Sequence, residues 1–448
     1  MLCYSYIFAA MSWILYFLYL ALFVGLILKS RFFEAPNLER KWLVAAFVAK
    51  IAAGFALYFI YAYYYSPRSS SDIFKYFDDG VIIHNIIRTK PVDFLSIVTG
   101  IGADRPELDD YYNTCNFWLK EFNYGLPNDN RIMIRIHAVL CLISMGNYHI
   151  HSLIFAFMSF VGLWGIYKSF CSQMPDRSQP LLLAVYFFPS VLLWTSGATK
   201  ESVLIMAFGL FLYNFRRMLC MPTIASGICI VLCVFLLMMS KFYVLMAMLP
   251  SVVALVWIRI SSKWPLIKFA LAHLLLFGAV VVLKYPTGID LFQIICDKQF
   301  DFIRMSQSVQ AGSYIDIPPL DNGLYSIVLN APRAFLTTLL RPSVFETGSF
   351  TMLIAGVENA IILLLIVCGM TVMRPCNFRS PDVWLCLSFV VILFVLVGLT
   401  TPVLGALVRY KVPALPFLGI LLLLLADADK WQKIRNKIHN LLKIKQKN

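Results

Sequence analysis

Three aspartates in the segment SSSDIFKYFDDG, at residues 69–80, are the first side chains in this sequence that could do chemistry. Asp72, Asp78 and Asp79 follow a long apolar stretch. If the segment forms a short helix, Asp72, Tyr76 and Asp79 share one face, because they are spaced at i, i+4 and i+7. A carboxylate on such a face can deprotonate a hydroxyl group. The alternative is that the three acids only solvate a loop and cap a helix.

Two further segments add cations near the same predicted level. PSVLLWTSGATKES, at residues 189–202, is predicted to form an outer turn that brings Lys200 and Glu201 to the membrane surface. Arg333 and Arg341 lie eight residues apart in NAPRAFLTTLLRPSVFE. Lone lysines at a membrane surface are usually anchors, whereas arginines can bind phosphate oxygens.

Ionisable residues also lie inside apolar runs. Glu358 is about seven residues below the predicted outer face, and Arg409 is about equally deep, with Lys411 following it. Such residues cost a few kcal/mol unless they are paired or line a wet cavity. Either Glu358 and Arg409 form a structural pair, or Arg409 or Lys411 meets an anion. The candidate substrate-binding residues are therefore Tyr76, Lys200, Glu201, Arg333, Arg341, Glu358, Arg409 and Lys411.

The composition predicts an all-α polytopic membrane protein. Of its 448 residues, 60% are hydrophobic and 14% are charged, and the mean hydropathy is +0.76, whereas soluble domains carry about 25% charged residues. Apolar blocks of roughly 17–24 residues recur, which is enough to cross a bilayer. About eleven transmembrane helices are predicted, near 5–28, 42–65, 150–167, 181–195, 202–215, 223–239, 242–258, 266–283, 351–373, 383–400 and 403–425.

The charge distribution predicts the orientation and argues against nucleic acid as a partner. One set of alternate loops, with the tail, carries the whole net charge of +14, and the other set is close to neutral. The positive-inside rule makes the first set cytoplasmic, so the N-terminus is external and the C-terminus is cytoplasmic. The tail at 426–448 is predicted to be a basic amphipathic helix on the inner leaflet or, alternatively, a partner-binding segment.

Residues 1–425 are predicted to form a single transmembrane domain with two long external loops, 66–149 and 284–350. Loops of this length are usually functional or have their own structure. Within the first, RIMIRIHAVLCLIS at 131–144 is predicted to be an amphipathic helix on the outer leaflet. Cysteine and histidine spacing indicates no metal site. Cys115 and Cys296 could pair, although free thiols are favoured, and His149 and His151 are interpreted as interfacial structure.

The order of these features resembles the GT-C superfamily of polytopic glycosyltransferases, which use polyprenyl-phosphate-linked sugars. DIFKYFDDG is similar to the acidic motif that this superfamily places in its first external loop. PSVLLWTSGATKES resembles its span ending in Pro with a polar outer turn, and RYKVPALPF resembles its late Arg-Tyr and Pro signature. One departure is that the acidic loop follows the second predicted span, whereas the superfamily usually places it after the first.

The resemblance implies that Asp72 or Asp79 is a general base for an acceptor hydroxyl, and that lipid phosphate leaves the anomeric carbon, usually with inversion. The departing phosphate would be held by Arg409, together with Arg333, Arg341 or Lys200. Such donors often need no metal, although Asp78 and Asp79 could hold one divalent cation. The acceptor would be a glycan, a lipid or a protein in polysaccharide biosynthesis, at the external face of a bacterial inner membrane.

Two other functions stay open from the sequence. An O-antigen-type polymerase or ligase would share many spans and external arginines, and its catalysis would depend on arginine rather than aspartate. A transporter or flippase of a lipid-linked glycan would need polar residues through the full membrane depth, whereas the inner halves of these spans are almost purely apolar.

Overall fold

A computed structural model describes residues 2–65, 67–119, 128–321, 323–346, 348–427 and 430. These residues are mostly helical, and they contain two isolated β-bridges and no strand. The predicted all-α class is confirmed. Nine helices in this part of the chain are long and apolar enough to cross a membrane. Nearly all of the predicted basic tail lies outside the described residues.

The chain divides into two compact units. The first unit comprises Met1–Ser178 and Val191–Leu245, and the second comprises Gln179–Ser190 and Met246–Asn448. In chain order, the first ten helices are α1 (Leu2–Lys29), α2 (Arg40–Phe59), α3 (Asp72–Ile86), α4 (Pro91–Thr99), α5 (Asp109–Tyr112), α6 (Asp129–Ser144), α7 (Tyr148–Phe170), α8 (Ser178–Tyr186), α9 (Pro189–Trp194) and α10 (Lys200–Cys220). The remaining helices are α11 (Ile224–Ile260), α12 (Pro265–Thr287), α13 (Leu291–Ser308), α14 (Leu324–Leu340), α15 (Phe350–Thr371), α16 (Pro381–Thr400), α17 (Leu404–Tyr410) and α18 (Leu415–Leu425).

The predicted count of about eleven spans is not confirmed, and two places account for the difference. The predicted span 181–195 is two short helices, α8 and α9, because Pro189 lacks a backbone N–H and disfavours helical geometry at the residue before it. The predicted spans 223–239 and 242–258 both lie within α11, where two helical segments meet at a kink at Lys241, whose φ is −139° and ψ is 72°.

Close helix packing builds the first unit. A Cβ atom at Gly162, Gly165 or Gly209 would clash with the backbone of the facing helix, so α7 and α10 approach closely at these glycines. Small residues at helix contacts are typical of membrane interiors, where van der Waals packing drives association. On α2, a Cβ at Gly54 would lie 2.5 Å from Ser196 O, which brings the segment before α10 against α2.

The first long loop forms a packed layer of short helices. α3 begins at Asp72, as the spacing of its acids predicts, and it packs along α6. The predicted amphipathic helix 131–144 corresponds to α6, whose Ile134 and Ala138 are fully buried while Val139 is exposed. α6 therefore has one face against protein and another free for lipid.

In the second unit, α14 packs against α16. A Cβ at Gly398 of α16 would clash with Ala334 O of α14, and Thr338 Oγ1 donates a hydrogen bond to Phe394 O at 2.8 Å. α14 is amphipathic, with Ala334 and Thr338 buried and Tyr325 and Leu336 exposed. This packing fixes the direction of the two arginines that α14 and its C-terminal end carry.

Candidate functional site

Asp79, at the centre of the acidic helix α3, is fully buried and holds a loop in place. Its Oδ1 accepts hydrogen bonds from Asn116 N at 2.8 Å and Asn116 Nδ2 at 3.4 Å, and its Oδ2 accepts one from Phe117 N at 2.7 Å. Burial raises the pKa of the Asp79 carboxyl, although these N–H groups act in the opposite direction. Both carboxylate oxygens are thus used in protein contacts, which favours a structural role for Asp79 over the predicted catalytic one.

The other two acids of α3 have different surroundings. Asp78 forms a bidentate ion pair with Arg68, at 2.7 and 2.9 Å, and both side chains are partly exposed. Asp72 is half-buried at the start of α3, where its Oδ1 accepts a hydrogen bond from Ile73 N at 2.8 Å. The oxygens of Asp78 and Asp79 all accept hydrogen bonds from N–H donors, and a divalent cation at this pair stays a prediction.

A buried cluster joins two of the predicted substrate-binding residues. Lys200 Nζ lies 2.8 Å from Asp129 Oδ2 and donates a hydrogen bond to Asn130 Oδ1 at 2.7 Å. Tyr76 Oη donates to the same Asn130 oxygen at 3.2 Å, and its ring centroid is 5.1 Å from Lys200 Nζ. We call Tyr76, Asp129, Asn130 and Lys200 the lysine cluster. Asp129 and Asn130, at the start of α6, were not predicted.

The segment at 189–202 places Lys200 and Glu201 inside the protein, where Lys200 is 8% exposed and Glu201 is 1% exposed. Lys200 Nζ lies beside Asp129, and Glu201 Oε1 lies 4.0 Å from Lys241 Nζ. Their position at the outer membrane surface stays a prediction, because burial in protein does not measure depth in a bilayer.

A buried lysine of α2 contacts this interior segment. Lys50 is fully buried, and its Nζ donates hydrogen bonds to Thr195 O at 2.9 Å and Thr195 Oγ1 at 2.7 Å. Ser159 Oγ of α7 donates to the same carbonyl oxygen. An ammonium group beside carbonyl oxygens at the end of a short helix offsets part of its own burial cost.

The histidines singled out from the sequence lie among packed side chains. His151 Nδ1 is 2.7 Å from His137 Nδ1, and His151 Nε2 is 2.6 Å from Ser144 Oγ. The ring centroid of His149 lies 4.7 Å from that of Tyr58. These contacts agree with the structural interpretation, and the described residues contain no group of three or more potential metal ligands. Cys115 and Cys296 are both free thiols.

In the second unit, Lys411 closes the C-terminal end of α14. It is 1% exposed, and its Nζ donates hydrogen bonds to Asn359 Oδ1 at 2.6 Å and Thr338 O at 3.2 Å. Asn359 Nδ2 in turn donates to Pro342 O at 2.8 Å. Because these acceptors are protein atoms, the contacts of Lys411 favour a structural role over the predicted anion binding.

The sequence left open whether Glu358 and Arg409 form a structural pair, and in the described part of the chain Glu358 makes other contacts. Glu358 is 2% exposed, and its Oε2 accepts a hydrogen bond from Ser190 N at 2.6 Å. The cation whose charge acts on Glu358 is Lys411. Arg409, on α17, is half-buried, and its part in substrate binding stays a prediction.

Arg333 and Arg341 line a cleft of about 380 Å³, a volume that includes the space open to solvent at its mouth. We call it the arginine cleft. Asn330, Arg333, Thr337 and Arg341 recur at spacings of three and four residues, so they share one face of α14 and its end. Asp316, before α14, and Leu399, at the end of α16, also line the cleft.

The two arginines differ in their contacts. Arg341 Nε donates a hydrogen bond to Glu346 Oε1 at 2.6 Å, and Glu346 Oε2 accepts another from Ser343 N at 2.9 Å. The Arg341 guanidinium and its hydrogen bond lower the pKa of Glu346 below its usual range. Arg333 is exposed, and among the described residues no hydrogen bond or ion pair engages its guanidinium.

Compared with known proteins, the chain matches no family model, no curated protein and no solved structure. The lysine cluster and the arginine cleft are the two places where the predicted site residues gather, one in each unit.

Proposed function

We propose that this chain is a membrane glycosyltransferase that moves a sugar from a polyprenyl-phosphate donor to an acceptor hydroxyl at the external face of a bacterial inner membrane. The apolar helices support a bilayer environment. In this proposal the topology is GT-C-like, with about eleven spans. The 37 residues of α11 would be about 55 Å long, nearly twice the apolar thickness of a bilayer, so the break at Lys241 would divide it into two spans.

The observation that carries the proposal is the open guanidinium of Arg333 in the arginine cleft. The buried lysines in the described part of the chain have protein acceptors: Thr195 for Lys50, Asp129 for Lys200, Ser261 for Lys268 and Asn359 for Lys411. Arg333 differs because its donors face a cleft. The planar guanidinium suits phosphate oxygens, which it can bind through two parallel hydrogen bonds.

Phosphate binding at this cleft fits the chemistry of sugar transfer. When the anomeric carbon is attacked, its bond to the phosphate oxygen breaks and negative charge collects on the departing lipid phosphate. Cations that are already oriented stabilise this charge without reorganising. Arg333 would supply free donors for it, and Arg341 lines the same cleft with its charge already balanced by Glu346.

The proposal is tested by transfer in proteoliposomes that contain the purified full chain and undecaprenyl-phosphate-linked hexoses. Release of undecaprenyl phosphate is expected for the unchanged chain and is expected to fall at least tenfold for Arg333→Ala, which removes a charge-assisted contact of about 1.5–3 kcal/mol. Arg304→Ala is the matched control, because Arg304 is an exposed arginine of the same unit outside the cleft. Equal losses in both variants would contradict the proposal.

An O-antigen-type polymerase or ligase is the second candidate, and a specific observation favours it. Asp78 and Asp79 are engaged by Arg68 and by the loop at Asn116, while Arg333 is open. This pattern suits catalysis that depends on arginine rather than on the acidic helix. The two functions differ in the donor: consumption of an undecaprenyl-diphosphate-linked oligosaccharide, without consumption of the monophosphate-linked hexoses, would select the second.

A further inference from the structure

The arginine cleft contains one carboxylate that has no assigned role. Asp316 lines the cleft together with Arg333 and Arg341. It is exposed, and in the part of the chain that the structure describes no hydrogen bond or ion pair engages it. Asp78 and Asp79 of α3 differ from it, because Arg68 pairs with Asp78 and Phe117 N donates a hydrogen bond to Asp79.

Asp316 lies on a segment that is unusually well fixed for a connection between helices. Gln299 of α13 is 3% exposed, and its Nε2 donates hydrogen bonds to Pro318 O at 2.9 Å and Leu399 O at 2.7 Å. Its Oε1 accepts one from Leu320 N at 2.9 Å. A single buried amide thus uses three hydrogen bonds to tie this segment to the end of α16.

The other side of the segment is attached as well. Ile315 N donates a hydrogen bond to Pro402 O at 2.7 Å, and Leu404 N donates one to Ser313 O at 2.9 Å. Ile315 and Ile317, the neighbours of Asp316, are buried. Hydrogen bonds therefore hold the backbone on both sides of Asp316. Its exposed carboxylate projects from a fixed position between two buried side chains.

A fixed carboxylate in a cleft that also carries one open guanidinium suits transfer to a hydroxyl. A general base must be held within hydrogen-bond reach of the proton that it removes. The guanidinium groups that line the same cleft attract the phosphate. An exposed acid that only increased solubility would not need a backbone held by Gln299, and it would not need to line the cleft.

We propose that Asp316 is the catalytic base of the arginine cleft, an inference that rests on the proposed function. The acceptor oxygen forms a bond to the anomeric carbon while its proton passes to an Asp316 carboxylate oxygen. The bond between the anomeric carbon and the phosphate oxygen breaks, and its electron pair leaves with the lipid phosphate, whose charge Arg333 stabilises. Gln299 is a positioning residue, because it acts through the backbone that carries Asp316.

Two measurements on Asp316→Asn separate this role from a structural one. The rate of a single turnover is expected to fall by about 10²–10⁴-fold, as for the loss of a general base. Binding of undecaprenyl phosphate is expected to tighten about threefold or more, because a negative charge is removed beside the anion. Asp321→Asn, which removes an exposed acid five residues further along and outside the cleft, is expected to leave both values unchanged.

Two further variants sharpen the result. Asp316→Glu keeps the carboxylate and is expected to recover part of the rate. Gln299→Leu is expected to lower the turnover rate while binding of undecaprenyl phosphate is retained.

The outcomes distinguish failure of the inference from failure of the proposed function. If the unchanged chain transfers sugar and Asp316→Asn does so at the same rate, the base lies elsewhere and the function stands. Weaker binding together with lower thermal stability in Asp316→Asn would show a structural role and overturn the inference. If the unchanged chain consumes no monophosphate-linked donor, the proposed function is contradicted. If undecaprenyl phosphate then binds equally well to Asp316→Asn and to the unchanged chain, Asp316 does not lie at the anion site.

Discussion

The lysine cluster and the arginine cleft use similar residue types in opposite ways. In the lysine cluster, Lys200 is buried and its ammonium contacts Asp129 and Asn130. In the arginine cleft, the described contacts leave Arg333 and Asp316 open to the cavity that they line. In the first arrangement the charges contact each other within the protein, and in the second Arg333 and Asp316 face the cleft. The contacts that a charged side chain makes within the protein, rather than its charge alone, distinguish a structural ion pair from a candidate binding site.

The largest expected effect is the loss of one partner from the lysine cluster. Lys200→Met leaves the Asp129 carboxylate largely buried without its cation, and breaking a buried pair in this way costs about 3–5 kcal/mol. We expect a correspondingly lower free energy of unfolding in detergent. The double variant Lys200→Met with Asp129→Leu should recover much of the loss. Unchanged stability in Lys200→Met, with loss of transfer, would move the functional site to this cluster.

Asp79 and Asp78 offer a matched pair for the next effect. Asp79→Ala leaves the N–H groups of Asn116 and Phe117 without their acceptor, at about 1–3 kcal/mol for each unsatisfied group. Asp78→Ala breaks a partly exposed pair worth about 0–1 kcal/mol. Limited proteolysis within residues 113–119 and chemical unfolding should both separate the two variants. Equal behaviour would show that Asp79 does not hold the loop.

The first unit should also lose stability in acid through His137. Burial, together with the neighbouring His151, holds the pKa of His137 well below its usual range, so the folded chain keeps this imidazole neutral. The unfolded chain takes up a proton below about pH 6.5, so this contribution is fully present above that pH and is lost as the pH falls. Unfolding measured between pH 8 and pH 5.5 should show a decline that is smaller in His137→Gln. The same decline in both proteins would contradict the assignment.

The smallest expected effect on stability is at the arginine cleft itself. Arg341→Ala removes a partly exposed ion pair with Glu346, which is worth about 0–1 kcal/mol. Arg333→Ala removes an exposed side chain and should leave the thermal midpoint unchanged. A fall of several degrees in Arg333→Ala would show that its guanidinium is a structural group and would weaken the contrast between the two regions.

Periodicity in the sequence was sufficient to predict the helices and which residues share one face of a helix. The spacing of Asp72, Tyr76 and Asp79 predicts α3, and the recurrence of apolar residues predicts α6 and nearly all of the long helices. The partners of Asp79 could not be predicted in this way. Asn116 and Phe117 lie 37 and 38 residues further along the chain, in a loop without periodic pattern.

Hydropathy did not indicate that the end of the segment at 189–202 is buried within protein, because composition does not measure burial. The close approach that buries it depends on Gly54 of α2, which lies far away in sequence. In the arginine cleft, the spacing of Arg333 and Arg341 could be recognised, whereas Asp316 lies in the short Pro-containing segment IDIPPL. The hydrogen bonds by which Gln299 holds this segment join residues that are about twenty positions apart, and no local sequence pattern predicts them.

The central claim, that the arginine cleft binds the phosphate of a polyprenyl-linked substrate, is tested most directly by the affinity for undecaprenyl phosphate. Binding to the purified chain in nanodiscs should be weakened at least tenfold by Arg333→Ala and left unchanged by Arg304→Ala and by Lys200→Met with Asp129→Leu. Undiminished affinity in Arg333→Ala, or an equal loss in Arg304→Ala, would contradict it.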